Sequence, residues 1–352
     1  MTKDYFASDK FKQDVKNLIK KITPSDKFTW ISIKRGRNNR VFCVDISGWG
    51  KALLKAYFKH PDDPRDRLSN EFSFSRFAWN NGLRCLHEPY LRDDENHLGL
   101  YQFIEGRNIN KEEVNEEFIS QALDFFIELN DFKHLPEAKR LANASEACFS
   151  IHEHLDTVEK RLNRLKSIGG SSEINSKAIS FIENELSRSW DKTTEYVQKL
   201  INNYEIDSTE RVSSDDKCIS PSDFGFHNAI LDEHGKIYFV DFEYAGWDDP
   251  AKMVCDFFCQ PEIPVPLSYY ESFVKKAFSK TSNPEKHIQR ANILLPVYRI
   301  KWCCIILNEF LEHDTERRFF AQEHLNREEE KTKQLSKAKQ YLKDLDQFML
   351  EK

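Results

Sequence analysis

The sequence predicts an α+β chain of two unequal lobes, a small N-terminal lobe built on an antiparallel sheet and a larger, mainly helical C-terminal lobe. Three observations carry this. Short runs of alternating, β-branched or aromatic residues, bounded by Gly, Pro and Asn, crowd the first hundred residues. Stretches of helical periodicity dominate beyond residue 110. A length of 352 residues suffices for two domains or one bilobal unit with a sizeable core. The division falls between residues 1–104 and 105–352.

Each element follows in order. Thr29–Ile33 (TWISI) reads as a strand and the run RGRNNR at 35–40 as a turn. Val41–Ile46 reads as a second strand, closed by Ser47-Gly48-Trp49-Gly50, and Ala52–Phe58 as a third. Pro61 and Pro64 make the next segment a loop. A helix then runs from Arg67 to Asn80, with Leu68, Phe72, Ser75 and Trp79 at helical spacing, and Leu98–Ile104 is a further strand ended by Glu105-Gly106. Helices are expected over Glu116–Asn130, Ser150–Lys166 and Ser176–Asn203, with a break at Gly169-Gly170. The charged, amphipathic run from Phe319 to Lys352 predicts a helix laid on the surface.

Composition bounds the function. The chain is 39% hydrophobic, 31% charged and 13% aromatic, which is the profile of a globular protein rather than a disordered one. No run approaches the roughly 20 apolar residues of a membrane span, and the charged N-terminus lacks a signal-peptide core. A cytoplasmic location, without membrane insertion, is the expectation. A net charge of −6 argues against a nucleic-acid partner. Of the eight cysteines only Cys255 and Cys259 sit at a spacing that invites comment. They lie among Val254, Phe257 and Phe258 with no second pair elsewhere, so they read as buried thiols rather than zinc ligands.

The chemistry concentrates in residues 220–250. Ala229–Leu231 and Lys236–Val240 read as two strands joined by the turn at Asp232–Gly235. A hairpin there brings Asn228, before its first strand, back to Asp241, after its second, with Asp223 five residues upstream. Two carboxylates and an amide oxygen converging on one point suit Mg²⁺, with one carboxylate spare to act as a base. Lys55 is the other unexpected residue, a charge within the apolar run ALLKAYF. A buried ammonium needs an acidic partner, and Glu71 on the helix that follows is the candidate.

These pieces resemble the aminoglycoside phosphotransferase and choline kinase family, which shares the protein-kinase fold, and they stand in that family's order across most of residues 30–260. Val240-Asp241-Phe242-Glu243-Tyr244-Ala245-Gly246 is especially similar to the choline and ethanolamine kinase version of the metal loop. The resemblance implies a Mg²⁺-dependent kinase that transfers phosphate from ATP or GTP to a small-molecule hydroxyl. It implies Asp223 as catalytic base, with Asn228 and Asp241 as metal ligands. It further implies phosphate contacts from Lys55, paired to Glu71, and from the turn holding Gly36, Asn38 and Asn39. Backbone groups from Gln102 to Ile104 would meet the base, and Asp256 would brace the catalytic loop. One departure stands out: Pro221 occupies the place of a His that in the family supports that loop.

For the acceptor the sequence offers both signs. Tyr244, Trp247, Tyr298 and Trp302 could box a quaternary amine. Glu243, Asp248, Asp249 and Glu309 could hold a cation, whereas Arg299 and Lys301 would favour an acidic acceptor. An amino alcohol or a sugar or amino-sugar hydroxyl is the expectation. The alternatives are a nucleotide-binding pseudokinase and a protein kinase. The short span from Asp241 to Pro250 weighs against the latter by leaving little platform for a peptide.

Overall fold

The computed structural model describes residues 3–33, 39–59, 63, 65–170, 172–311 and 326–350. A short helix, Lys3–Phe6 (α1), leads into Asp9–Ile19 (α2), which is capped by the Ser8 hydroxyl accepting from the Phe11 N–H at 3.2 Å. Five antiparallel strands follow, Phe28–Ile33 (β1), Arg40–Ile46 (β2), Gly50–Ala56 (β3), Pro89–Asp93 (β4) and Leu98–Gln102 (β5), in the sheet order β1-β2-β3-β5-β4. Gly48, at φ +77°, turns the β2–β3 hairpin in a left-handed conformation that costs glycine little.

Strand alternation sorts the sheet into two faces. Ala52, Leu54 and Ala56 of β3 join Phe42, Val44, Leu98 and Leu100 in a core closed by Phe11, Val15, Leu18 and Ile19 of α2. Sequence reading gives no element for α2. Its four apolar residues lie in a lysine-rich segment and make sense only against the sheet face that they cover. The odd residues of β3 fall on the opposite face, toward the helix Arg67–Asn80 (α3), where Leu53, Tyr57 and Tyr101 pack with Leu68 and Phe72. That alternation is why Lys55 faces α3.

Strand β3 stops at Ala56 rather than Phe58, because β2 begins at Arg40 directly opposite and the ladder runs out. Strand β5 stops at Gln102, two residues short of expectation. Strand β4 was not expected; Pro89 opens it, a register shift follows between Pro89 and Leu91, and Arg92 and Asp93 hide its alternation.

The helical part contains Glu116–Asp131 (α4), Ile151–Leu165 (α5), Glu173–Phe181 (α6) and Ser187–Asn203 (α7). It continues with Pro250–Cys259 (α8), Tyr270–Ala277 (α9), Pro284–Ile306 (α10) and Arg327–Lys343 (α11). The single helix expected over 176–203 starts earlier, at a Ser172 cap, and is divided by a π-turn at Ile182–Leu186. Ala178, Ile182, Leu186 and Trp190 are all buried at a spacing of four, wider than the 3.6-residue turn, and the wide turn keeps them on one face. Helix α10 is buried along most of its length beneath α5, α7, α8 and α11. Helix α11 does not lie freely on the surface, since Leu335, Ala338, Tyr341 and Leu342 are buried. The first part of its expected run, residues 319–325, lies outside the described residues.

Short strands fasten the loops between these helices. Arg107–Asn108 (β6) pairs with Ala229–Leu231 (β8), which pairs with Ile237–Phe239 (β9). Cys218–Ser220 (β7) pairs antiparallel with Gly246–Asp248 (β10). Among the described residues no helix is long and apolar enough to cross a membrane. All eight cysteines are free thiols, and Cys255 and Cys259 lie fully buried in the core.

Candidate active site

The hairpin β8–β9 does what its sequence requires. The Val240 N–H donates to the Asn228 carbonyl at 2.9 Å, which brings the two ends of the hairpin together. Asn228 then turns its amide nitrogen to Asp223, donating to the backbone carbonyl at 2.9 Å and to Oδ2 at 3.2 Å. Ser222 and Asp241 both adopt left-handed backbone conformations, at φ +67° and +68°. Such strain in non-glycine residues collects where surrounding structure holds a functional geometry.

On the facing side, the Lys55 ammonium donates to Glu71 at 2.8 and 2.7 Å and to Asp241 Oδ1 at 2.7 Å. Three elements therefore meet at one nitrogen: β3, α3 and the segment after β9. Tyr57 adds a hydrogen bond to Glu71 Oε2 at 2.7 Å, and its hydroxyl lies 2.8 Å from that of Tyr101. Burial alone would drive Lys55 toward neutrality, but Asp241 and Glu71 together outweigh it and hold its pKa well above the ordinary value. Glu71 is pushed up to about 7, first by burial and then by the Asp241 charge, with Lys55 and Tyr57 opposing.

Asp223 is held by the turn at His227 and Asn228. Burial raises its pKa, but His227, at 3.2 Å from Oδ1, and Asn228 more than compensate, with Lys301 contributing. The net shift is downward, so the carboxylate stays ionised near neutrality.

Asn39 was expected to act through its backbone. Its buried side chain donates to Glu243 Oε2 at 2.7 Å, and Arg67 approaches the same oxygen at 3.5 Å. Glu243 is thereby engaged between lobes rather than presented to a cationic acceptor. Gly36 and Asn38 lie outside the described residues. The Gln102 N–H donates to the Glu88 carbonyl at 2.8 Å, so that donor is not available to a base. Ile104 follows β5 in irregular, half-buried structure.

The loop after Pro221 is held from α8. Lys252 of α8 donates to the Ser222 hydroxyl at 3.3 Å and also pairs with Asp248. Asp256, one turn along, lies 3.4 Å from Lys252 and receives Lys301 at 3.2 Å and the Trp302 indole at 3.0 Å. It reaches the loop through Lys252. No sequence signal marks Lys252 beyond its position four residues before Asp256 and four after Asp248.

The remaining acceptor candidates are largely engaged. Asp249 caps α8 and binds His154 and Arg290, while Asp248 is fully buried on Lys252. Arg299 donates to the Tyr341 carbonyl. Tyr298 shares a 2.9 Å hydrogen bond with His154, and the Trp247 indole donates to the Ala138 carbonyl at 3.0 Å. Tyr244 is half-buried, 5.7 Å from the Arg65 guanidinium, and Glu309 lies in the short turn Leu307–Phe310. Among the described residues no three His, Cys, Asp or Glu side chains form a closed metal cage. An amide oxygen and one part-exposed carboxylate, Asp241, fit Mg²⁺, which takes few protein ligands and completes its shell with phosphates and water.

The model of the phosphotransferase enzyme family matches residues 29–259, more than half the chain. A search of the curated proteins finds no match. Among solved structures the chain is similar to a spectinomycin phosphotransferase in complex with ADP and spectinomycin, at TM-score 0.61 and 13% identity over 96% of this chain and 97% of that one. It is similar to choline kinase from Cryptosporidium parvum, at 0.56 and 13% over 96% and 97%. Plasmodium vivax ethanolamine kinase follows at 0.54 and 16% over 89% and 82%. At these identities the likeness establishes the protein-kinase-like fold.

Proposed function

Because the chain belongs to the phosphotransferase enzyme family, we propose that it moves the γ-phosphoryl group of ATP, or of GTP, onto a hydroxyl of a small molecule. The observation that carries this reading is the meeting of Lys55, Glu71 and Asp241 at one nitrogen, with Asp223 and Asn228 tied to the same hairpin. Lys55 offsets charge on the α- and β-phosphates, and Glu71 keeps it in place. Asn228 and Asp241 would hold Mg²⁺, which when bound would supply charge neutralisation on the phosphates. Asp223 orients the acceptor hydroxyl and takes its proton as the acceptor oxygen–phosphorus bond forms and the β,γ-bridging bond breaks. The products are a phosphomonoester and the nucleoside diphosphate.

A small acceptor is favoured over a peptide by the eight residues between Asp241 and Pro250. They are pinned by the β10–β7 pairing and by the Ala144 N–H donating to the Trp247 carbonyl at 2.9 Å. The relatives in the fold include kinases of choline and ethanolamine and a spectinomycin phosphotransferase, so amino alcohols and sugar or amino-sugar hydroxyls head the acceptor panel. The test is ³¹P NMR of the protein with Mg²⁺, ATP or GTP and pooled acceptors. A new phosphomonoester signal that Asp223→Asn abolishes, with nucleotide affinity retained, is the expected outcome. A signal undiminished in Asp223→Asn would sink the assignment of the base.

A further inference from the structure

We propose that His227 is the positioning residue for the catalytic base, setting the rotation of the Asp223 carboxylate by a hydrogen bond from Nε2. The inference rests on the reading of Asp223 as base and deepens it. It starts from the turn Phe226–Asn228, whose three side chains do separate work. Phe226 is fully buried, 5.5 Å from the Phe257 ring, and anchors the turn in the core. Asn228 donates to Asp223 Oδ2, and His227 lies 3.2 Å from Oδ1, so the two oxygens are held from two sides by consecutive residues.

The imidazole cannot easily move. It lies over Gly225, where a β-carbon would come within 2.8 Å of Nδ1 and 3.1 Å of Cε1. The same β-carbon would approach Gln260 Cγ at 2.9 Å. Gln260 is itself fixed, accepting from the Glu262 and Ile263 N–H groups at 2.9 and 3.0 Å. Glycine at 225 is therefore what makes the slot for the ring. Nδ1 is buried and, among the described residues, has no hydrogen-bond partner. A proton on Nδ1 would have nothing to bind, whereas a proton on Nε2 points at a carboxylate, so the ring carries its hydrogen on Nε2 and donates. Pro221, two residues before the base, offers no side-chain donor. His227 supplies this one from the opposite flank of the loop.

A carboxylate held on both oxygens keeps one lone-pair direction for the acceptor hydroxyl and does not swing between rotamers during transfer. The test compares His227→Leu, which removes the donor, with His227→Gln, which restores an N–H at similar reach. The probe is Mg·ATP with water as acceptor, followed by phosphate release, alongside ATP affinity by calorimetry and thermal melting. His227→Leu should slow the Asp223-dependent release roughly 10- to 100-fold, the range of one charge-assisted hydrogen bond. ATP affinity should hold within about twofold, and the glutamine variant should recover most of the rate. An unchanged rate in His227→Leu overturns the proposal, as does a loss of affinity, melting temperature and rate together that glutamine fails to rescue. Release that persists in Asp223→Asn would instead bring down the reading of the base. Independently of turnover, long-range ¹H–¹⁵N spectra of the intact protein should find the His227 proton on Nε2, and a ring protonated only on Nδ1 would refute the hydrogen bond.

Discussion

Two buried charge clusters in this protein use the same ingredients to different ends. One joins the lobes, with Lys55 between Glu71 and Asp241. The other lies in the helical lobe, with Asp249 between Arg290 and His154 at the junction of α5, α8 and α10. In the first, one positive charge faces two negative ones, and the Asp241 side chain remains 33% exposed. In the second, the carboxylate is completely buried, capped onto the Ala251 N–H at 2.8 Å and held well below its usual pKa by Arg290 and His154 against the opposing effect of burial. The first is left short of positive charge and open at one end, which is what a site for a cation and phosphates needs. The second is closed by protein groups and ties α5, α8 and α10 together. Burial of an ion pair therefore says little about its role; the charge balance and the opening to solvent distinguish the two.

The largest effect should follow from breaking the closed cluster. Asp249→Ala strands Arg290 without its partner and removes the α8 cap, which should lower the unfolding free energy by about 3–5 kcal/mol. Urea unfolding at pH 7 measures it, and a loss below about 1 kcal/mol would dissolve the contrast between the clusters.

Breaking the open cluster should show the reverse pattern. Lys55→Met should cost transfer roughly 10²–10³-fold, the scale of one lost electrostatic contact to a transition state. Its cost to stability without nucleotide should stay under about 2 kcal/mol, because Glu71, already raised to about 7, takes up a proton once the ammonium is gone and keeps its Tyr57 partner. Parallel rate and melting measurements decide the point. A stability loss as large as that of Asp249→Ala would mean that the interlobe cluster is structural after all.

Much of this was legible in the sequence where one residue had one physical reason. Lys55 in an apolar strand demanded a carboxylate, and alternation along β3 turns it to the face where Glu71 waits. The helix Arg67–Asn80 was readable because its periodicity and its cap are local. The hairpin ends at Asn228 and Asp241 meet because a two-strand turn leaves them no alternative. What could not be read depends on distant partners. Lys252 becomes a support of the loop at Ser222 only when α8 packs beside it. Asn39 reaches Glu243 across 204 positions of sequence. His227 carries no signal in the sequence, and only the slot over Gly225 gives its ring a direction. The acceptor side was ambiguous for the same reason, since Asp248 and Asp249 look available in sequence and are engaged in the fold.

The smallest effect sharpens the comparison at the rim of the closed region. Asp216 accepts from the Ser282 N–H at 2.8 Å, from the Ser282 hydroxyl and from Ser213 at 2.9 Å, with His287 at 3.5 Å. Burial raises its pKa, but these hydrogen bonds and the neighbouring imidazole bring it down to about 2. A folded-state pKa below the unfolded value means that the unfolded chain binds more protons between the two. The stabilisation is then complete above about pH 4 and disappears as the pH falls through about 2. Asp216→Asn should therefore cost about 1–2 kcal/mol at pH 7, and the gap between variant and parent should close on acidification. A gap that stays constant from pH 7 to pH 2 would show that Asp216 acts through its shape and hydrogen bonds rather than its charge, and would move it to the class of neutral caps.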